Sequence, residues 1–177
     1  LVNPLLMATD FISHFDRRQT PECTEGREGY IWFNSIQAGQ NEAILKANIR
    51  DFDKDGFAAR KQHIADVAAQ IAAQHPTANV EYRIEDTYSN ISNAIGEDRR
   101  AIDLMFEAME SLGITPKPIP MRGGTDGAAL SAKGLLTPNF FTGAHNFHSK
   151  FEFLPLSSFE ASGTGNMKFM QIGRAHV

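Results

Sequence analysis

Hydrophobic and polar residues repeat with two different periods along the first ninety residues of the chain. Apolar residues recur at helical spacing over residues 1–15 and 55–74. Residues 29–37 are rich in β-branched and aromatic residues, and over residues 42–52 and 79–86 apolar residues alternate with polar ones, which is typical of half-buried strands. The order helix, strand, strand, helix, strand predicts an α+β sandwich with helices on one face of an antiparallel sheet. The sandwich is ferredoxin-like if one more strand precedes residue 1.

The pattern of elements changes after residue 91. A helix is predicted over residues 97–112, and strands over residues 114–120 and 138–143, with a glycine-rich turn and a short helix between the strands. This alternation of strand, helix and strand predicts a separate α/β layer, and therefore a domain boundary near residue 91.

Composition and charge exclude several classes of partner. The 17 basic residues are scattered among 21 acidic ones, so no basic stripe is available for nucleic acid. No apolar run reaches membrane-spanning length and no signal peptide opens the chain. The single cysteine, Cys23, cannot form an internal disulfide, which favours a reducing, cytoplasmic compartment. The chain opens inside its first helix without an initiator methionine, so we expect residues to be missing before Leu1.

The first candidate site is a histidine-containing loop that follows the predicted strand 138–143. It reads His145-x-x-His148-x-x-x-Glu152, and imidazole and carboxylate are good ligands for zinc. Loops at strand ends are also where α/β proteins place their sites. From spacing alone, two loop histidines and a solvated glutamate remain an alternative interpretation.

The second candidate is the glycine-rich turn from Arg122 to Gly127. Its glycines allow close approach of a ligand, and a helix N-terminus beside a guanidinium favours an anion. Thr125 or Asp126 as a simple helix cap, with Arg122 in a structural ion pair, is the alternative.

The third candidate is a pair of residues, Arg50 and Asn90, which lie in polar clusters at the ends of predicted strands. Each could hold a polar group of a substrate, although from the residues alone surface decoration is the favoured interpretation. The remaining histidines His14, His63 and His75 lack partners at ligand spacing, so we interpret them as surface or structural residues.

From Leu1 to about Glu160 the chain resembles the peptidase T-type aminopeptidases of the M20 metallopeptidase family. The resemblance rests on a co-linear set of segments: TEGREGY, IRDFD, IEDTYSN, MRGGTDGAALSAKG and PNFFTGAHNFHSKFEF. It implies a catalytic domain with an inserted ferredoxin-like lid. Residues 1–91 then form the lid, incomplete at its N-terminus and able to mediate a homodimer, and residues 92–160 form the C-terminal part of the catalytic domain.

The resemblance also implies a zinc-dependent aminopeptidase that releases the N-terminal residue from tripeptides. Members hold two zinc ions, and a bound water with a lowered pKa attacks the peptide bond. His148 matches a metal ligand, and Arg122 matches a residue that binds the substrate carboxylate. Arg50 and Asn90 match residues that contact the peptide backbone or the oxyanion. His145 is assigned no metal.

Most of the chemistry that the resemblance implies belongs to residues before residue 1. The His-x-Asp motif, the bridging aspartate, the Glu-Glu pair with the general base, and a further aspartate are expected there. No catalytic residue is therefore assigned within this chain. We expect the chain alone neither to bind two zinc ions tightly nor to hydrolyse peptides, because one histidine cannot hold a dinuclear centre.

The last residues depart from this family. Residues 160–170 resemble the glycogen phosphorylase segment around the pyridoxal-phosphate lysine, here Lys168, and residues 172–177 resemble a translated sequencing adapter. We interpret residues 161–177 as a chimeric, artefactual tail, expect it to be poorly ordered, and assign Lys168 no function.

Three other functions stay open at this point. A different M20 dipeptidase or amidohydrolase fits the same general pattern. Residues 1–91 could serve as a lid or dimerisation module without catalysis. A phosphorylase rests on the tail alone.

Overall fold

A computed structural model describes residues 2–87 and 89–175, with side chains up to residue 172. Leu1, Tyr88, His176 and Val177 lie outside the described residues, so the last two positions of the predicted tail are not covered. The chain divides into two compact units, Leu1–Asp86 and Thr87–Val177. No helix among the described residues combines the length and apolarity needed to cross a bilayer.

Unit 1 contains two helices and one hairpin. The elements are α1 (Pro4–Ser13), β1 (Tyr30–Ala38), β2 (Ala43–Arg50) and α2 (Lys54–Gln74), with two short 3₁₀ turns between α1 and β1. Helix α1 begins at a proline after Asn3, whose side chain accepts the N–H groups of the first turn. Asp53 caps α2 by accepting the Gly56 N–H at 2.6 Å, as the sequence predicted.

The hairpin pairs β1 and β2 antiparallel, with Tyr30 opposite Arg50 and Ala38 opposite Ala43. The register shifts between Phe33 and Ser35, where one residue of β1 has no opposite number and a β-bulge forms. The predicted hairpin is therefore confirmed.

The core of unit 1 lies where α2 meets the hairpin and α1. Helix α2 buries one stripe at helical spacing, and Ile71 is almost completely enclosed. The aromatic rings of Phe11 and Phe15 pack at an angle against that of Phe33, with centroids 6.1 and 4.9 Å away. Burial of this apolar surface is the main stabilising term for a unit of this size.

A buried ion pair joins the end of β2 to α2. Arg60 Nη1 lies 2.5 Å from Asp51 Oδ2, and the two side chains are only 20% and 6% exposed. The Arg60 guanidinium also donates to the carbonyl of Gly29, ahead of β1, at 3.1 Å. A Cβ at Gly29 or at Gly56 would overlap the Asp51 carboxylate. Glycine at both positions is therefore required for the pair to close.

The third predicted strand of unit 1 is absent. Residues 79–86 carry the alternating pattern, but they form no regular element and do not join the described sheet, which contains β1 and β2 alone. Tyr82 is 56% exposed, whereas Val80 and Ile84 are half-buried. A strand requires a paired neighbour, and alternation alone does not supply one. The unit remains α+β, with a smaller sheet than the predicted ferredoxin-like one.

The described residues of unit 2 form four helices joined by long irregular segments. They are α3 (Ile91–Ile95), α4 (Arg100–Glu110), α5 (Asp126–Ala132) and α6 (Leu156–Ala175). Helix α4 packs against α6, and α3 packs against α5. The predicted helix over residues 97–112 is confirmed in α4, whose Met105 and Ala108 are buried.

The two strands predicted for unit 2 are wrong. Residues 114–120 and 138–143 form no strand, and the one bridge described in this unit joins His145 to Phe153. Pro116, Pro118 and Pro120 remove every second N–H group from the first segment, so one of its edges cannot donate to a ladder. Among the described residues this half therefore contains helices without the two predicted strands, and the chain as a whole keeps the predicted mixed α and β class.

The expected disorder of the tail is also wrong. Residues 161–175 continue α6 as one helix, and Ala161, Gly165, Lys168 and Ile172 are buried or half-buried at helical spacing. Gly165 is buried because Phe140 packs against it, and a Cβ there would lie 2.8 Å from Phe140 Cζ. The expectation rested on the resemblance of the tail to unrelated segments, which left the helical spacing of its apolar and small residues out of the prediction.

We predict that Asp51→Asn lowers the free energy of unfolding of unit 1 by about 3–5 kcal/mol, because it leaves the buried Arg60 charge unpaired. Urea unfolding followed by the fluorescence of Trp32, the one tryptophan of the chain, measures this change. The control is Asp86→Asn, which removes the more exposed Lys61–Asp86 pair and should cost less than about 1 kcal/mol. Equal shifts in the two variants would contradict the role of the buried pair.

We predict opposite outcomes for two glycines of α6. Gly163→Ala should stabilise unit 2 by up to about 1 kcal/mol, because alanine favours the helix and an added Cβ meets nothing within 4 Å. Gly165→Ala should lose that gain, since Phe140 must move. Urea unfolding followed by circular dichroism compares the variants, and equal stabilisation would show that α6 does not pack on Phe140.

Candidate functional site

The loop that contains the predicted metal ligand is closed by a β-bridge. His145 and Phe153 exchange backbone hydrogen bonds, with N–O distances of 2.9 and 3.2 Å. Their rings stack with centroids 5.0 Å apart and planes inclined by 15°. Residues 145–153, called the histidine loop below, therefore form a compact turn whose two ends are fixed to each other.

Within the histidine loop, His148 has an unusual backbone. Its φ is +61°, in the left-handed region that non-glycine residues adopt rarely, and Asn146 has φ +56°. The His148 N–H donates to Glu152 Oε2 at 3.0 Å. The Asn146 side-chain amide donates to the Phe151 carbonyl at 3.2 Å. His148 and Glu152 are both exposed.

One imidazole does not make a metal centre by itself. Structural and catalytic zinc sites use three or four protein ligands. Across the part of the chain that the structure describes, no three His, Cys, Asp or Glu side chains come close enough together to hold a metal ion. The described residues therefore do not fit a complete zinc site. His148 could supply one ligand to a site whose other donors come from elsewhere.

Arg122 lies just before α5 and is half-buried. Thr125 caps α5 by accepting the Ala128 N–H at 3.2 Å, which confirms the simple capping interpretation for that residue. Gly127 is buried where the carbonyl oxygen of Thr137 approaches, and a Cβ there would overlap that oxygen. Helix α5 has only seven residues, so the helix terminus adds little to anion binding and the guanidinium is the main feature.

The other two predicted binding residues lie in different units. Arg50 is the last residue of β2 in unit 1, half-buried and opposite Tyr30. Asn90 caps α3 in unit 2, where its Oδ1 accepts the Ser92 N–H at 2.9 Å and the Ser92 hydroxyl at 2.8 Å. Its oxygen is thus engaged, and its –NH₂ group is the part that can donate to a ligand.

A cavity of about 610 Å³ in unit 1 contains none of the predicted site residues. It is lined by apolar and polar side chains, among them Phe15, Phe33, Arg60 and two histidines. His14 Nδ1 donates to the Asp10 carbonyl at 2.8 Å, and its Nε2 accepts from the Gln70 amide at 2.9 Å. The ring of His63 packs edge-on against that of Phe15 at 4.8 Å. Both histidines have structural contacts, as the sequence indicated.

Sequence reasoning placed His148 in a loop but missed the part that Glu152 plays there. The spacing of four residues between them was visible, yet the pattern suggested two side chains facing one ligand. In the structure the carboxylate instead accepts the backbone N–H of His148. The available signal was Asn146, since asparagine tolerates the left-handed region and often marks a tight turn.

Comparison with curated proteins gives several relatives, although no protein-family model matches the chain. A peptidase T-like protein of Rhizobium meliloti is 60% identical over 172 residues, 97% of this chain and 42% of that protein. A peptidase T-like protein of Yersinia pestis is 63% identical over 162 residues, 92% of this chain and 40% of that protein. Peptidase T of Aeromonas hydrophila is 38% identical over 175 residues, 99% of this chain and 43% of that protein.

Two solved structures share the fold. A tripeptidase from Staphylococcus aureus superposes with a TM-score of 0.66 at 19% identity, covering 97% of this chain and 45% of that one. Aminopeptidase PepT from Bacillus cereus gives 0.61 at 15% identity, covering 95% and 44%. The chain spans about two fifths of the length of the curated relatives it matches. This chain is therefore homologous, over nearly its whole length, to one portion of the peptidase T-like proteins.

Proposed function

We propose that this segment serves in a metal-dependent aminopeptidase that releases the N-terminal residue from tripeptides. The observation that carries the proposal is the histidine loop, which presents an exposed imidazole from a backbone held at φ +61°. Strained backbone held by its surroundings is characteristic of functional sites. The relatives, a peptidase T and a tripeptidase, supply the reaction and the substrate class.

His148 is proposed as one ligand of the metal, with zinc as the ion. Neutral imidazole is among the commonest zinc ligands, and a bound zinc supplies Lewis acidity to the reaction. The proposal needs further donors outside the described residues, because these contain no complete ligand set. Two zinc ions in the complete enzyme, and an M20-type catalytic domain, belong to the same proposal.

Arg122 is proposed to bind the carboxylate of the substrate. A guanidinium pairs with a carboxylate through two parallel N–H···O bonds, which fixes direction as well as charge. The half-buried position of Arg122 ahead of α5 limits its rotamers and supports this role. A requirement for a nearby carboxylate would restrict the enzyme to short peptides.

Arg50 and Asn90 are proposed to contact the peptide backbone or the developing oxyanion. Both side chains offer N–H donors, which are the groups that stabilise negative charge on a tetrahedral intermediate. The Ser92 contacts hold the Asn90 amide in one orientation, so its –NH₂ direction is fixed before a ligand arrives.

The domain assignment follows from the same proposal. Residues 1–91 act as the lid and residues 92–160 as the C-terminal part of the catalytic domain, in a cytoplasmic enzyme. Cys23 is exposed and free, which favours a reducing compartment. The origin of residues 161–177 as a joined foreign segment stays a prediction. A dipeptidase or amidohydrolase of the same family is the alternative activity.

A homodimer through the lid is the partner proposal. Three large apolar side chains of the hairpin, Trp32, Ile36 and Ile44, are 43–47% exposed. We predict that the chain sediments as a dimer and that Trp32→Lys shifts it towards monomer, because a charge would enter the interface. Tyr82→Lys, which changes an exposed aromatic residue outside the hairpin, should leave the equilibrium unchanged. A monomeric parent chain would contradict the proposal.

We predict that this chain can replace the matching segment of the Rhizobium meliloti relative without loss of tripeptide hydrolysis. The 60% identity over 172 residues makes the packing of the exchanged segment compatible with the host. In the chimera, His148→Ala should lower kcat/KM at least about a hundredfold and reduce bound zinc, because a ligand is lost. Arg122→Ala should instead raise KM for tripeptides without changing the zinc content.

The matched control is His145→Asn, which removes an imidazole from the same loop without touching the proposed ligand. It should keep activity and zinc within a few-fold of the chimera. Equal losses in His145→Asn and His148→Ala, or zinc retained in full by His148→Ala, would contradict the assignment. The unmodified host provides the reference rate, and a host without tripeptidase activity would contradict the proposed function.

A further inference from the structure

The histidine loop contains a side-chain to backbone contact whose effect reaches the imidazole. At φ +61° the Cα–Cβ bond of His148 points to a different side of the chain than it would at negative φ. Histidine gains nothing from this conformation by itself, because a Cβ makes the left-handed region unfavourable. Some other contact must therefore hold residue 148 there.

Glu152 supplies that contact. Its Oε2 accepts the His148 N–H at 3.0 Å, across four residues of the turn. A hydrogen bond to an ionised carboxylate is stronger than one to a neutral acceptor. Rotation of residue 148 to negative φ would turn its N–H away from this acceptor, so the bond and the left-handed backbone support each other.

The rest of the loop fixes the position of Glu152. The Glu152 N–H donates to the Ser149 carbonyl at 3.2 Å, and the Ser149 N–H donates to the Asn146 carbonyl at 3.2 Å. The next residue, Phe153, is tied to His145 by the β-bridge. The backbone of Glu152 is therefore fixed by the hydrogen bonds that close the histidine loop. From this fixed position its carboxylate can orient His148.

We propose that Glu152 is a positioning residue, which aims the His148 imidazole by holding the His148 backbone N–H. This role of Glu152 rests on the proposed function in one respect, that His148 is taken as the metal ligand. The competing interpretation is that Glu152 is itself a metal ligand. The contact with the His148 N–H occupies one carboxylate oxygen, and a metal would compete with that N–H for the same lone pairs.

The first test measures the backbone of His148 in this chain without metal. At positive φ the N–H and Hα protons of a residue lie unusually close, so His148 should show a strong intraresidue cross-relaxation peak in NMR spectra. Glu152→Ala should weaken this peak and raise the exchange rate of the His148 amide at least about tenfold, because a charge-assisted bond is lost. Glu152→Gln keeps an acceptor oxygen and should retain most of both signals.

Glu160→Ala on α6 is the matched control, since it removes an exposed carboxylate of the same unit outside the histidine loop. It should leave the His148 signals unchanged. Unaltered His148 signals in Glu152→Ala, or equal changes in the control, would overturn the proposal. This readout needs neither metal nor activity, so it stands or fails apart from the proposed function.

The second test separates positioning from direct ligation in the chimera with the Rhizobium meliloti relative. Glu152→Ala should weaken zinc binding about 10- to 100-fold, as for other residues that orient a ligand. Glu152→Gln should restore affinity to within a few-fold, because an amide oxygen accepts the N–H but is a poor zinc ligand. A Gln variant as weak as the Ala variant would overturn positioning in favour of ligation. A chimera that binds no zinc would count against the proposed function alone.

Discussion

The Asp51 carboxylate holds together three parts of unit 1: the end of β2, helix α2 and the backbone ahead of β1. It binds the Arg60 guanidinium of α2, and through Arg60 it reaches the backbone of Gly29 ahead of β1. A buried pair of this kind adds little net stability over apolar residues, but it tolerates only one arrangement of its neighbours. The end of β2 is therefore fixed. Arg50, the residue proposed to contact the peptide, immediately precedes that fixed point.

In unit 2, neighbouring segments pack closely against three glycines. In unit 1, the corresponding tie is the Asp51–Arg60 ion pair. Because these glycines have no Cβ, other groups can pack closely against them. The Thr137 carbonyl packs on Gly127, the Ser158 side chain on Gly143, and the Phe140 ring on Gly165. These contacts seat residues 137–143 against α5 and α6, directly ahead of the histidine loop. Rigid neighbours on both sides are what a loop needs if it is to keep an unfavourable backbone conformation. The same segments therefore serve the packing of the unit and the geometry of the site.

The sequence predicted well wherever local periodicity decides the structure. Helices α1, α2 and α4, the Asp53 cap and the hairpin all follow from spacing over a few residues. The prediction of strands was wrong over residues 79–86, 114–120 and 138–143. Strand pairing depends on a partner that is distant in sequence, and the local pattern shows only that a segment is compatible with a strand. The end of helix α6 was missed because the tail was set aside for its resemblance to unrelated segments, although Gly165 packs against the Phe140 ring inside a continuous helix. The acceptor role of Glu152 could not be predicted from spacing. A histidine followed by a glutamate four residues later is expected both for a pair of metal ligands and for a carboxylate that accepts the histidine N–H.

The central claim is that the histidine loop delivers one imidazole to a metal whose other ligands lie outside the described residues. A crystal structure of the chimera grown with zinc, with anomalous scattering used to locate the ions, tests this most directly. We predict a His148 ring nitrogen about 2.0–2.1 Å from a zinc ion. We also predict that Glu152 still accepts the His148 N–H. Zinc ions fully coordinated without His148, with its ring directed to solvent, would contradict the account.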